Sequence, residues 1–120
     1  MSQRTERVAA VFKEEISRII REELRDPRLG FITITHVELT LDLRLAKVYY
    51  SVLGSDKEKK ETARALGSGS GFIRSLLGQG IKLRYLPELK FILDETAEYS
   101  INIQKILDKI NAESAKKKVE

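Results

Sequence analysis

The stretch Ala63-Arg64-Ala65-Leu66-Gly67-Ser68-Gly69-Ser70-Gly71-Phe72-Ile73-Arg74-Ser75-Leu76-Leu77-Gly78 decides the fold. Three glycines alternate with serines between two segments of helical pattern. Each glycine costs ~1 kcal/mol against alanine inside a helix, which argues against a straight helix. Phe72, Ile73, Leu76 and Leu77 follow at once at i, i+1, i+4, i+5, one apolar helical face, which argues against a bare linker. The expectation is two helices meeting at a tight break that needs either positive φ, assumed at Gly71, or a close backbone approach; both favour glycine. From Arg64 to Pro87 there is no Asp or Glu, while Arg64, Arg74, Lys82 and Arg84 are all present. This segment carries a local positive field.

Outward from that stretch, the pattern is regular. Ser55-Asp56-Lys57-Glu58 fits a capping box that opens the helix before the break. The second, shorter helix covers 72–77 and ends near Gly78 or Gly80. Ile81 to Leu86 is a basic connection closed by Pro87. Leu89, Phe91 and Leu93 alternate with Lys90, Ile92 and Asp94, which predicts a strand over 88–94.

Upstream, Val8, Val11, Phe12, Ile16, Ile19, Ile20 and Leu24 repeat at three and four, predicting a helix over 5–24. Arg25-Asp26-Pro27 ends it, because a residue before proline avoids the α region. Residues 31–41 read as a strand with mixed parity: either its first half is covered on both faces or a bulge shifts the register. Leu41-Asp42-Leu43-Arg44 is a hairpin connection. Residues 45–53 form the next strand, with Ala46, Val48, Tyr50 and Val52 on one face.

A last helix is predicted over 96–110, with Tyr99, Ile103, Ile106, Leu107 and Ile110 inward. Residues 1–111 form one domain, and 112–120 are a lysine-rich tail. The predicted class is α+β: helix, strand, strand, broken helix pair, strand, helix. The three-stranded sheet is mixed, with helices on one face. If they are neighbours, its third strand runs parallel to the second through a right-handed crossover.

Composition sets limits. The chain has 120 residues, 42% apolar and 33% charged, with net charge +4, and a pI near 9.4. That suits one basic domain and permits a polyanionic partner. With no cysteine, disulfides, zinc thiolates and cysteine nucleophiles are excluded. The start of the chain lacks the apolar core of a signal peptide, and no apolar run reaches the ~20 residues of a membrane span. The expectation is a soluble intracellular protein without membrane association.

Asp26-Pro27-Arg28-Leu29-Gly30, Asp42-Leu43 with Ala46-Lys47-Val48-Tyr49, Ser70 to Gly78, and Leu83-Arg84 with Pro87-Glu88-Leu89 together resemble the ribosome-binding factor A family of bacterial 30S assembly proteins. The resemblance runs from about Arg7 to Ile110. It implies a type II KH-like fold and a monomeric, cytoplasmic, non-catalytic factor. The implied partners are the 30S subunit and its 16S rRNA during late maturation and rRNA processing, with a role in cold adaptation. A ribosome-associated GTPase acting in release is a candidate second partner.

KH domains usually carry Gly-x-x-Gly between two helices, and no two glycines here have that spacing. The family has an Ala-x-Gly kink instead. It falls on Gly69, Ser70 and Gly71, with Gly in place of Ala at 69 and Gly67 in addition.

No reaction chemistry stands out. His36 is the one histidine, and no nucleophile-elbow pattern accompanies it. The glycines lack the Gly-Lys-Ser/Thr of a phosphate loop. The carboxylate pairs Glu14-Glu15, Glu22-Glu23 and Asp94-Glu95 read as helix faces and caps. No cofactor or metal is expected.

RNA contact is assigned to Arg64, Ser70, Arg74, Lys82 and Arg84, where cations and a helix N-terminus would meet phosphates. The alternative for these residues is a merely solvated surface. Tyr49 and Tyr85 are open between base stacking and packing, and Lys116-Lys117-Lys118 between RNA contact and a solvated tail. The rival functions are a general single-stranded RNA-binding regulator and a small hydrolase beside His36.

Overall fold

The computed structural model describes residues 3–83 and 85–95. The elements, in chain order, are α1 (Gln3–Glu22), β1 (Phe31–Leu39), β2 (Leu45–Leu53), α2 (Asp56–Gly80) and β3 (Glu88–Leu93). The helix expected over 96–110 and the tail lie outside the described residues.

α1 buries Phe12, Ile16, Ile19 and Ile20. Val11, assigned to that stripe from its spacing, is 52% exposed instead. The helix ends at Glu22, and the N–H groups of Glu23 and Leu24 both donate to the Ile19 carbonyl. In the turn that follows, the Asp26 carboxylate accepts from the Arg28 N–H at 2.9 Å and from its guanidinium.

β1 pairs antiparallel with β2, and the register slips between Ile34 and His36. The slip resolves the mixed parity. One extra residue at Thr35 lets Ile34 before it and Val37 and Leu39 after it all reach the core. β2 needs no such device: Ala46, Val48, Tyr50 and Val52 are buried, and their alternates are not. β3 pairs parallel with β2, so the sheet order is β1-β2-β3. The α+β class and mixed sheet are as expected.

The crossover differs from expectation. α2 is one continuous helix of 25 residues, not two helices around a break. The Ser55–Glu58 capping box opens it. Among the described glycines only Gly54 has positive φ, so Gly71 does not. The penalty of the interior glycines is outweighed because Thr62, Ala65, Leu66, Gly69, Ile73 and Leu77 are buried along one face; tertiary packing rather than propensity decides most helices.

Gly69 has a packing reason of its own. A Cβ there would stand 2.9 Å from Leu24 Cδ1, whereas at Gly67 and Gly71 it would meet open space.

Candidate nucleic-acid interface

Continuity of α2 rearranges the acid-free segment. Arg64, Gly67, Ser68, Gly71, Arg74 and Ser75 recur at three and four and are all exposed, so they form one outward stripe. Arg64 and Arg74 mark its ends, ~15 Å apart at 1.5 Å rise per residue. Between them the two glycines leave the helix backbone bare. The stripe is cationic at both ends and has no side-chain bulk in the middle.

Ser70 plays a different part from the one expected. It is half-buried, and its hydroxyl donates to the Gly67 carbonyl at 3.1 Å. With no second helix starting here, the N–H groups of 70–73 belong to the interior of α2 and are not free anion donors. The expected kink residues Gly69, Ser70 and Gly71 are thus interior helix positions.

Arg74 is exposed yet tied down. Its Nε donates to the Pro87 carbonyl at 3.0 Å, and its NH2 group donates to the Leu86 carbonyl at 2.7 Å. The basic connection is thereby clamped to α2, with Pro87 fully buried. Three of the five guanidinium hydrogens stay available for an external anion. Lys82 is exposed on the connection and Tyr85 is 71% exposed. Arg84 lies outside the described residues.

A further cation comes from the β1–β2 hairpin. The Glu88 N–H donates to the Arg44 carbonyl at 2.8 Å, which brings Arg44 beside the connection that Arg74 holds. Sequence reading missed it, because only the parallel pairing of Leu45 with Glu88 joins these distant segments.

On α1 and in the turn after it, Arg18 and Arg28 are ion-paired. Arg18 meets Glu15 at 2.6 Å, Glu22 at 3.2 Å and Glu23 at 3.7 Å. The Arg18 guanidinium holds the Glu15 carboxyl below its usual range. The hydrogen bonds from Arg28, from its guanidinium first and then its backbone, lower the Asp26 pKa to about 2.

His36 and Tyr49 face each other on paired strands, with ring centroids 5.8 Å apart. Among the described residues no three His, Asp or Glu groups gather as metal ligands. No described helix is long and apolar enough to cross a membrane.

The chain is similar to known proteins over nearly its whole length. The family model for ribosome-binding factor A matches residues 4–107. The ribosome-binding factor A of Desulforamulus reducens is 47% identical over 116 residues, covering 97% of each chain. That of Staphylococcus epidermidis is 48% identical over 108 residues, covering 90% of this chain and 93% of that one.

Among solved structures, the crystal structure of ribosome-binding factor A from Thermus thermophilus superposes with a TM-score of 0.67 at 26% identity. It covers 74% of this chain and 94% of its own. A Thermus thermophilus homology model fitted into the cryo-EM map of a 30S complex gives a TM-score of 0.61 at 27% identity, covering 72% and 90%. The fold is the KH-like α+β arrangement of these proteins. With its family model matched over nearly the whole length and its relatives almost half identical, the chain belongs to the ribosome-binding factor A family.

Proposed function

We propose that this chain binds the small ribosomal subunit at its 16S rRNA during late maturation and rRNA processing, as a non-catalytic factor. The observation that carries the reading is the exposed stripe of α2 with the connection after it. Arg64, Arg74 and Lys82 lie there in a stretch of sequence free of carboxylates. Cations of this kind displace counterions from a phosphate backbone. The bare helix at Gly67 and Gly71 lets a partner approach closely. A relative fitted into a map of a 30S complex supports the same partner.

The factor acts through differential affinity, since a ligand shifts only states that it binds unequally. Its site of action is then the cytoplasm, as a monomer, and a ribosome-associated GTPase is the proposed agent of release. Co-sedimentation with immature and mature 30S particles tests the reading. Binding that distinguishes the two and weakens with salt is the expected result. Equal affinity for short single-stranded RNA and for the particle would favour the general RNA-binding module instead.

A further inference from the structure

The hairpin between β1 and β2 is more tightly built than a connection requires. Thr40 and Leu45 close it: the Thr40 N–H donates to the Leu45 carbonyl at 3.0 Å, and the Leu45 N–H donates to Thr40 Oγ1 at 3.2 Å. The Thr40 hydroxyl donates to Asp42 Oδ1 at 2.6 Å, and the Arg44 N–H donates to the same oxygen at 3.1 Å. The Leu43 N–H reaches the Thr40 carbonyl at 2.9 Å.

Leu43 itself sits at φ 58, the one described non-glycine residue with positive φ. Its half-buried side chain packs against the core. A leucine in this region is strained, and such strain persists where surrounding contacts over-determine it.

What this turn presents is Arg44. Its carbonyl is docked on the Glu88 N–H, so its backbone is fixed. Its exposed guanidinium forms no hydrogen bond or ion pair with another described residue. Asp42, the acid beside it, has both its hydrogen bonds directed into the turn and attracts the Arg44 charge only through space.

Arg74 binds Leu86 and Pro87 from the other side. The two arginines are therefore anchored on three consecutive residues, ~7 Å of extended chain. Anchors that close together put both arginines within reach of neighbouring phosphates of one strand.

We infer that the β1–β2 hairpin is a second arm of the nucleic-acid surface, in which Arg44 contacts an rRNA phosphate next to the one met by Arg74. This inference rests on the small-subunit reading above and adds a residue and an element to it. The ligand chemistry is a continuous sugar-phosphate strand. A fixed backbone under a guanidinium with no hydrogen bond to another described residue lowers the ordering cost of the contact.

The test is binding of full-length protein to immature 30S particles across a salt series, with melting curves as a check on folding. Arg44→Gln is expected to fold normally, to weaken binding several-fold, and to flatten the slope of log affinity against log salt by ~0.7 to 0.9. Arg44→Lys is expected to keep the slope and most of the affinity, because the charge remains.

Unchanged binding of Arg44→Gln, with Lys82→Gln weakened, overturns the hairpin arm and leaves the small-subunit reading standing. Equal loss in Arg44→Lys and Arg44→Gln also overturns it, since a phosphate contact retains part of its strength with lysine. Particle binding by the unmutated protein that is absent or indifferent to salt removes the small-subunit reading itself, and the hairpin arm with it.

Discussion

Thr62 joins α2 to the loop after α1 through one hydroxyl. It accepts from the Gly30 N–H at 3.0 Å and donates to the Arg28 carbonyl at 3.4 Å, from a fully buried position. Two backbone groups 32 and 34 positions away are satisfied by a single side chain. Thr62→Val keeps the shape and removes both bonds. The expected loss is about 1–3 kcal/mol, the cost of stranding buried polar groups, read from denaturant melts. An unchanged midpoint would mean that water replaces the hydroxyl there.

The glycines of α2 give opposite expectations for two neighbouring positions. Gly71 is exposed and helical, so Gly71→Ala should stabilise the protein by about 0.5–1 kcal/mol. Gly69→Ala gains the same propensity but must displace the Leu24 methyl that would stand 2.9 Å from the new Cβ. Its gain is expected to be smaller or negative. Matched urea titrations of the two variants decide the order, and a larger gain at 69 would show that Leu24 gives way at little cost.

Arg74 separates structural from surface cations. Arg74→Ala strands the Leu86 and Pro87 carbonyls and frees the connection before β3. The expected destabilisation is about 1–2 kcal/mol, reduced from buried values by exposure. Lys82→Ala should stay within about 0.5 kcal/mol. Comparable melting temperatures for the two would show that the clamp contributes little. Charge reversal at Arg74 therefore tests binding only where folding has been checked.

Asp26 carries a pH prediction. Arg28 lowers its folded pKa to about 2, below the ordinary ~3.9 of an unfolded aspartate. A depressed carboxylate contributes stability above its unfolded value and loses it as pH falls through the folded one. The advantage of the unmutated protein over Asp26→Asn should thus be full at pH 6 and shrink between pH 4 and 2. A difference that does not vary with pH over that range would show that the Asp26–Arg28 pair does not couple to folding.

Much of the fold is legible where local chemistry agrees with tertiary demand. The alternation Ala46, Val48, Tyr50, Val52 and the Ser55–Glu58 box are read from the sequence and recur in the structure. The parity conflict in β1 marks a bulge, though sequence alone leaves open whether the strand is instead covered on both faces. The glycine run misleads, because propensity is local and burial along Ala65, Leu66, Ile73 and Leu77 is not. The candidate site is legible in its charge but not in its geometry. Nothing in the order of residues announces that Arg74 reaches main-chain carbonyls, or that Arg44 arrives beside Glu88.

The bond between the Arg44 carbonyl and the Glu88 N–H has a kinetic consequence. It closes a loop of 44 positions, and parallel pairings of this kind carry a high contact order and form late. α1, the β1–β2 hairpin and the first turns of α2 are all local and can assemble earlier. β3 docks only once the whole crossover has been synthesised and folded. Arg44 and Arg74 therefore meet at the start of β3 in the final step. A nascent or partly unfolded chain carries the same charges without bringing Arg44 and Arg74 to one connection.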